Sequence, residues 1–283
     1  MLTIFKNTFL RSRGQILGWG IALAIYGAYL VSFYDTLIEQ QEVVRSLLEQ
    51  YPPELLAFFG RVEDFFSPGG YLNSYYFSYM SLILGIYAVL AGSGLLASDE
   101  ESGKLDLILA HPISRAALFA GRLGAFLIAL VLIQAITWLG FILIIPTTGL
   151  DLAPGQLVLP FLSLLSVLVF FGTLALLLSM LLPSRSLAAM LSGLILVASF
   201  FVVTLANIDQ NMEDLARFSP LNYYQGGYAI DGLNITWVVG LAGLALVFAL
   251  LAGWFFERRD IRVGGEGGWR WAGLFRRRAA AGE

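Results

Sequence analysis

Of 283 residues, 58% are hydrophobic and only 13% are charged, and the mean hydropathy is +0.77, more apolar surface than a soluble domain can bury. The formal net charge of −3 is small and by itself points to no partner, and no nucleic acid is expected. Cysteine is absent and His111 is the only histidine, which excludes disulfides, iron–sulfur clusters, Cys/His zinc sites and paired-histidine haem ligation; carboxylate-only metal binding stays open without positive evidence, and no metal, cofactor or catalytic residue is assigned in this chain.

The chain opens on Leu2, Ile4, Phe5, Phe9 and Leu10 with Lys6, Arg11 and Arg13 interleaved. This pattern reads either as a short amphipathic helix lying on the inner membrane surface or as the basic flank that orients a first span. Six apolar runs follow, at 15–34, 75–97, 123–145, 157–182, 187–205 and 235–256, each close to the roughly 20 residues that a helix needs to cross a hydrocarbon layer about 30 Å thick. They are rich in Leu, Ala, Gly and Phe without period-two alternation, which predicts helices and excludes a barrel. The first run is too long for the core of a secretion signal and no Ala-x-Ala pattern follows it, so it is read as a retained span.

Between the first two runs, the segment 35–74 has helical periodicity through Leu37, Val44, Leu47 and Leu48, and Pro52 and Pro53 predict a second short helix at 54–59. Its apolar side chains need cover, which makes it either a cap over the outer mouth of the bundle or a surface for a partner protein. Ser67-Pro68-Gly69-Gly70 reads as a turn, and Tyr71, Tyr75, Tyr76 and Tyr79 read as an interfacial aromatic belt or, alternatively, as a line of rings facing a substrate path.

The connection between the second and third runs, 98–115, is the most informative. Ser98 with Glu101 has the spacing of a capping box. Leu105, Ile108 and Leu109 form an apolar edge at helical spacing, Pro112 ends that helix, and Ser114 can cap the next one. A two-turn helix held between two rigid spans can seat those three side chains in a groove of a soluble motor and pass its motion to both spans; the plainer reading is a charged hairpin that only joins them. Gly103-Lys104 does not make a phosphate loop, because Ser98 stands where the first Gly is needed and Leu105 where Ser or Thr would bind magnesium.

Further on, Pro220 is expected to break a helix, with Tyr223 and Tyr224 at interface depth, and 257–283 is a Gly- and Arg-rich tail with Trp269 and Trp271 that either lies on anionic lipid or is disordered. With both termini placed inside, the inner segments hold 14 of the 17 basic residues and the outer ones only Arg45, Arg61 and Arg217, as the positive-inside rule requires. No Asp, Glu, Lys, Arg or His lies in the central part of any run; the polar groups there, such as Gln134, Thr137, Ser163 and Ser192, suit interhelical hydrogen bonds. Proton or sodium coupling places ionisable groups at that depth. An ATP-independent secondary transporter or channel therefore ranks second, beside a membrane assembly factor.

On these residues the chain resembles the permease subunits of ABC-2 type transporters, whose first cytoplasmic loop runs roughly Glu-x-x-Gly-Thr-Leu-x-x-Leu-Leu-x-x-Pro-x-Ser-Arg. Glu100, Gly103, Leu105, Ile108, Leu109, Pro112, Ser114 and Arg115 follow it, while Lys104 stands where Thr is usual and Ile108 where Leu is usual. The six-run layout and Ser219-Pro220 with Tyr223-Tyr224 before the last run extend the likeness over most of the chain. The resemblance implies an all-α integral membrane protein: a permease domain over 1–256 with six transmembrane helices, an N-terminal amphipathic helix, an outer helical cap at 35–74 and a cytoplasmic coupling loop at 98–115, then a basic cytoplasmic tail at 257–283. It implies an exporter in a prokaryotic cytoplasmic membrane, with both termini cytoplasmic, surrounded by membrane lipids and bound to two copies of a separate ABC ATPase that carries the ATP and magnesium. It also implies a second permease copy, identical or related. ATPase coupling falls to Glu100, Glu101, Gly103, Leu105, Ile108, Leu109, Pro112 and Arg115, with the coupling helix itself at Lys104 to Ala110. The uncharged, aromatic-edged interior suggests a hydrophobic or amphiphilic substrate.

Overall fold

A computed structural model describes residues 2–48, 50–52 and 65–258, and every regular element among them is helical. The first helix, α1, runs unbroken over Leu2–Glu39. Its 38 residues extend about 57 Å at ~1.5 Å per residue, well beyond a hydrocarbon layer of about 30 Å. The amphipathic N-terminus is therefore not a separate surface helix. Gly14 is the only weak helix former between Arg13 and the apolar run, and a single glycine costs about 1 kcal/mol without stopping a helix, so Lys6, Arg11 and Arg13 sit on the first turns of the span itself.

The short helix α2 (Gln41–Leu48) buries no side chain fully; it lays Val44 against the core and leaves Val43 and Leu47 exposed. The second outer helix expected at 54–59 lies outside the described residues. Next comes α3 (Pro68–Glu101), whose Ser67 accepts a hydrogen bond from the Gly70 N–H at 3.1 Å, so the expected turn is a helix cap with Pro68 in the first turn. Asn73–Phe77 forms one π turn within it.

The remaining elements are α4 (Lys104–Leu109), α5 (Arg115–Ile144, extended by the 3-10 turn Ile145–Thr147), α6 (Pro154–Leu181), α7 (Arg185–Ala206), the one-turn α8 (Glu213–Ala216) and α9 (Ile235–Arg258). Six helices, α1, α3, α5, α6, α7 and α9, are long and apolar enough to cross a membrane. They start and stop within a few residues of the six apolar runs except at the charged starts of α1 and α5 and at the start of α3, which begins at Pro68, seven residues before its run.

The most buried of them, α6, forms the centre, with α3, α9, α7 and α5 packed round it, while α1 is joined to the bundle along α5. The end holding Leu2, the 102–114 connection and Arg258 is called proximal here, and the other end distal. Small residues set the close crossings. Gly20, Gly27 and Gly140 bring α1 against α5 at Ile136, Phe141 and Ala24, and Gly92 of α3 meets the backbone of Gly172 in α6. A Cβ at Gly92 would collide with the Gly172 carbonyl oxygen. Gly92→Val is therefore expected to lower thermal stability in detergent by roughly 1 to 3 kcal/mol, whereas Gly240→Val, with open space beside it, leaves the midpoint nearly unchanged.

The tyrosine belt is only partly a belt. Tyr75 is half-buried and Tyr79 exposed, but Tyr71 and Tyr76 are core residues. The distal half of α1 covers them: the Tyr71 hydroxyl donates to the Leu30 carbonyl at 2.7 Å, and Tyr76 stacks on Tyr26 and meets Phe141 edge-on. The distal mouth is closed by the stretch 219–232, where Pro220 opens the 3-10 turn Pro220–Tyr223 and does not itself break a helix, α8 having already ended at Ala216. Gly226, at φ 55°, and Gly227 lie against the π turn, where the Asn73 side chain accepts the Gly227 N–H at 3.0 Å; neither position has room for a Cβ.

Candidate functional site

At the proximal end α3 stops at Glu101, and two residues later the chain reverses through Gly103 at φ 66°, a left-handed conformation that glycine adopts without strain. Ser98 and Glu101 are thus the last turn of α3 and not a capping box for α4. What Glu101 caps is elsewhere: its carboxylate accepts the Arg185 N–H at 2.7 Å, at the first turn of α7. Ser114 behaves as expected and accepts the Ala117 N–H at 3.2 Å, opening α5.

The two-turn α4 presents its apolar edge inward. Leu105 is 1% exposed, in a cluster with Leu96, Leu118, Leu177, Met180 and Phe256, and Ile108 and Leu109 pack half-buried against the same cluster. The expectation that Leu105, Ile108 and Leu109 face a partner's groove is corrected: they bind α4 to its own bundle, because a two-turn helix beside six long ones gains most by burying its apolar edge there. The outward face carries Leu107, 69% exposed, between Lys104 and His111.

The other residues assigned to coupling separate in the same way. Glu100 is buried; Gly103 and Pro112 are exposed. Arg115 donates from Nη1 to the Phe256 and Glu257 carbonyls, both at 3.3 Å, satisfying the C-terminal end of α9. The assigned set thus divides into a scaffold (Glu100, Glu101, Leu105, Ile108, Leu109 and Arg115) and an outward pair, Gly103 and Pro112, to whose surface the structure adds Leu107, which was not among them.

Beside α4 lies a cleft of about 1000 Å³ between α1 and α3, with α5 as its back wall. It exists because α1 packs on α5 and α3 on α6, so the two helices meet closely only toward the distal end. Its charged lining is Arg11, Asp99, Arg122 and Arg185. Arg122 and Asp99, each 8% exposed, form a buried ion pair through Nη2 and Oδ2, and Arg122 Nη1 donates to the Leu95 carbonyl at 2.7 Å. Arg11, largely exposed, stands 3.9 Å from the other oxygen of Asp99. From the first turn of α7, Arg185 reaches back over Gly94 and donates to the Leu90 carbonyl at 3.4 Å.

This group was invisible as a site in the sequence. Arg122 and Asp99 fall just outside the apolar runs and read as flanks of spans, and Arg11 and Arg185 read only as inner basic residues. The available signal was Arg122 itself, an arginine two turns inside the predicted third helix. A cation at that position needs an acidic partner, and Asp99 is the carboxylate nearest the end of the neighbouring span.

Compared with known protein families, the chain matches the one described as ABC-2 family transporter protein over residues 7–261. A search among curated proteins finds no match.

Proposed function

The chain belongs to the ABC-2 transporter family, and from that premise we propose that it is the permease subunit of an ABC exporter, coupled to a separate cytoplasmic ATPase through α4. It is a multi-pass membrane component of a transporter. The observation that carries the coupling is the two-sided build of α4: an inner edge locked into the cluster around Leu105 and an outer face with Leu107 free. A push on that outer face moves α3 and α5 together, since the chain links α4 to both through only a few residues.

In this reading the proximal end is cytoplasmic, as the basic residues favour, and the membrane is a prokaryotic cytoplasmic membrane. Two ATPase copies, supplying ATP and magnesium, close on binding nucleotide, and two permease copies rock about a shared interface; ATP binding to the closed state supplies the bias. Homodimer and heterodimer serve this mechanism equally. The C-terminal tail past Arg258 lies outside the described residues.

The test is affinity purification of the detergent-solubilised chain from its native membrane, followed by identification of co-purifying polypeptides. A soluble protein with a phosphate-loop motif, retained in proportion to the chain, is the expected result. Its repeated absence, under conditions that hold other membrane complexes together, would favour the ATP-independent transporter or the assembly factor.

A further inference from the structure

The cleft between α1 and α3 is amphipathic along the membrane normal. Its charged lining is Arg11, Asp99 and Arg122 at the proximal rim and Arg185, whose guanidinium reaches in beside Gly94 while its N–H is held by the Glu101 carboxylate. Arg122 already engages Asp99 closely, so two further guanidiniums line the cleft beyond that pair: Arg11, 3.9 Å from the other Asp99 oxygen, and Arg185. Farther in, the walls turn apolar through Ile83, Ile86, Leu90, Phe126 and Ala129, and Trp19 packs against Tyr87 within that inner part with ring centroids 5.6 Å apart.

Ile83, Ile86 and Leu90 line the cleft and are each at least 40% exposed, so it is also open along its flank, toward the lipid. From Ile83 to Asp99 the wall rises about 24 Å at ~1.5 Å per residue, more than the depth of one hydrocarbon leaflet at roughly 15 Å. A soluble anion needs the charged rim alone; the apolar interior and the side opening have a use only for a molecule with a tail.

We propose that this cleft binds an anionic amphiphile from the proximal leaflet, its phosphate or carboxylate head between Arg11 and Arg185 and its chain along Ile86, Leu90 and Phe126. The site is a property of the chain alone and holds whichever motor, if any, drives it. Both arginines suit the head group, since a guanidinium donates in a fork that matches the oxygens of phosphate or carboxylate.

The test uses the purified full-length chain and native mass spectrometry to count retained phosphatidylglycerol against phosphatidylcholine, with inorganic phosphate as competitor. One phosphatidylglycerol is expected to be retained with a preference of about thirtyfold, the factor for two arginines close to an anionic head group. The double variant Arg11→Gln/Arg185→Gln should lose that preference, and Arg217→Gln, at the distal end, should keep it. Equal retention of the two lipids, or an unchanged preference in the double variant, overturns the proposal; so does displacement of the lipid by millimolar inorganic phosphate, which marks a site for a soluble anion. Should the double variant not fold, photoactivatable phosphatidylglycerol on the wild-type chain decides. Adducts concentrated at 83–95 of α3 support the site, and adducts spread evenly over the outer faces of α7 and α9 overturn it.

Discussion

Leu107→Asp is expected to strip the chain of the ATPase proposed as its partner while leaving the bundle intact. Leu107 is the one apolar side chain of α4 that points away from the protein, and a residue that serves as the central anchor of an interface carries about 2 kcal/mol, roughly thirtyfold in affinity. A carboxylate there would also have to be desolvated against the partner, which adds to the loss. Co-purification of the ATPase should fall at least by that factor, with the thermal midpoint of the isolated chain unmoved.

Leu105→Asp, two residues away, is expected to behave in the opposite order. It puts a charge into the cluster of Leu96, Leu118, Leu177 and Phe256, so the chain itself loses several kcal/mol and any loss of the ATPase follows from that. If Leu105→Asp left stability unchanged and removed the ATPase, the inward assignment of the apolar edge would be wrong. Equal ATPase retention by wild type and Leu107→Asp would remove α4 from the coupling route.

The second large effect is expected at Arg122. Arg122→Met leaves the Asp99 carboxylate, 8% exposed, with Arg11 at 3.9 Å as its remaining cation, and breaking a buried pair from one side costs about 3 to 5 kcal/mol. Thermal unfolding in detergent should show the loss, and Arg122→Lys should recover only part of it, because an ammonium cannot reach Asp99 and the Leu95 carbonyl in the fork geometry. The double variant Arg122→Met/Asp99→Leu should recover most of it, since removing both charges also removes the desolvation cost. A double variant no better than Arg122→Met would mean that the pair does more than neutralise itself.

The two predictions concern neighbouring parts with different duties. The Asp99–Arg122 pair fastens the proximal end of α3 to α5, and Glu101 ties the same end to the start of α7 through the Arg185 N–H. The α4 helix therefore hangs from a fastened frame, which the proposed transmission of motion requires. Arg115, bound to the end of α9, extends that frame to the last span.

The sequence by itself determined the class, the number of spans, the break at Pro112 and the cap at Ser114. These depend on the length of apolar runs and on residues whose preferences act within a few positions of themselves, so nothing distant is needed to read them. It also marked 98–115 as the segment to watch. Only the tertiary structure decided which way that segment faces: Leu105 and Leu107 are both leucines on one short helix, and the cluster supplied by α3, α5, α6 and α9 makes the first a core residue and leaves the second free. The same holds for Tyr71 and Tyr76, covered by α1 from more than 40 positions away, and for the cleft, which brings Arg11, Asp99, Arg122 and Arg185 together from four helices. A side chain's periodicity shows that it has a side to turn; what waits on that side is set by helix crossings, which depend on glycines such as Gly92 and Gly172 meeting at close range far along the chain.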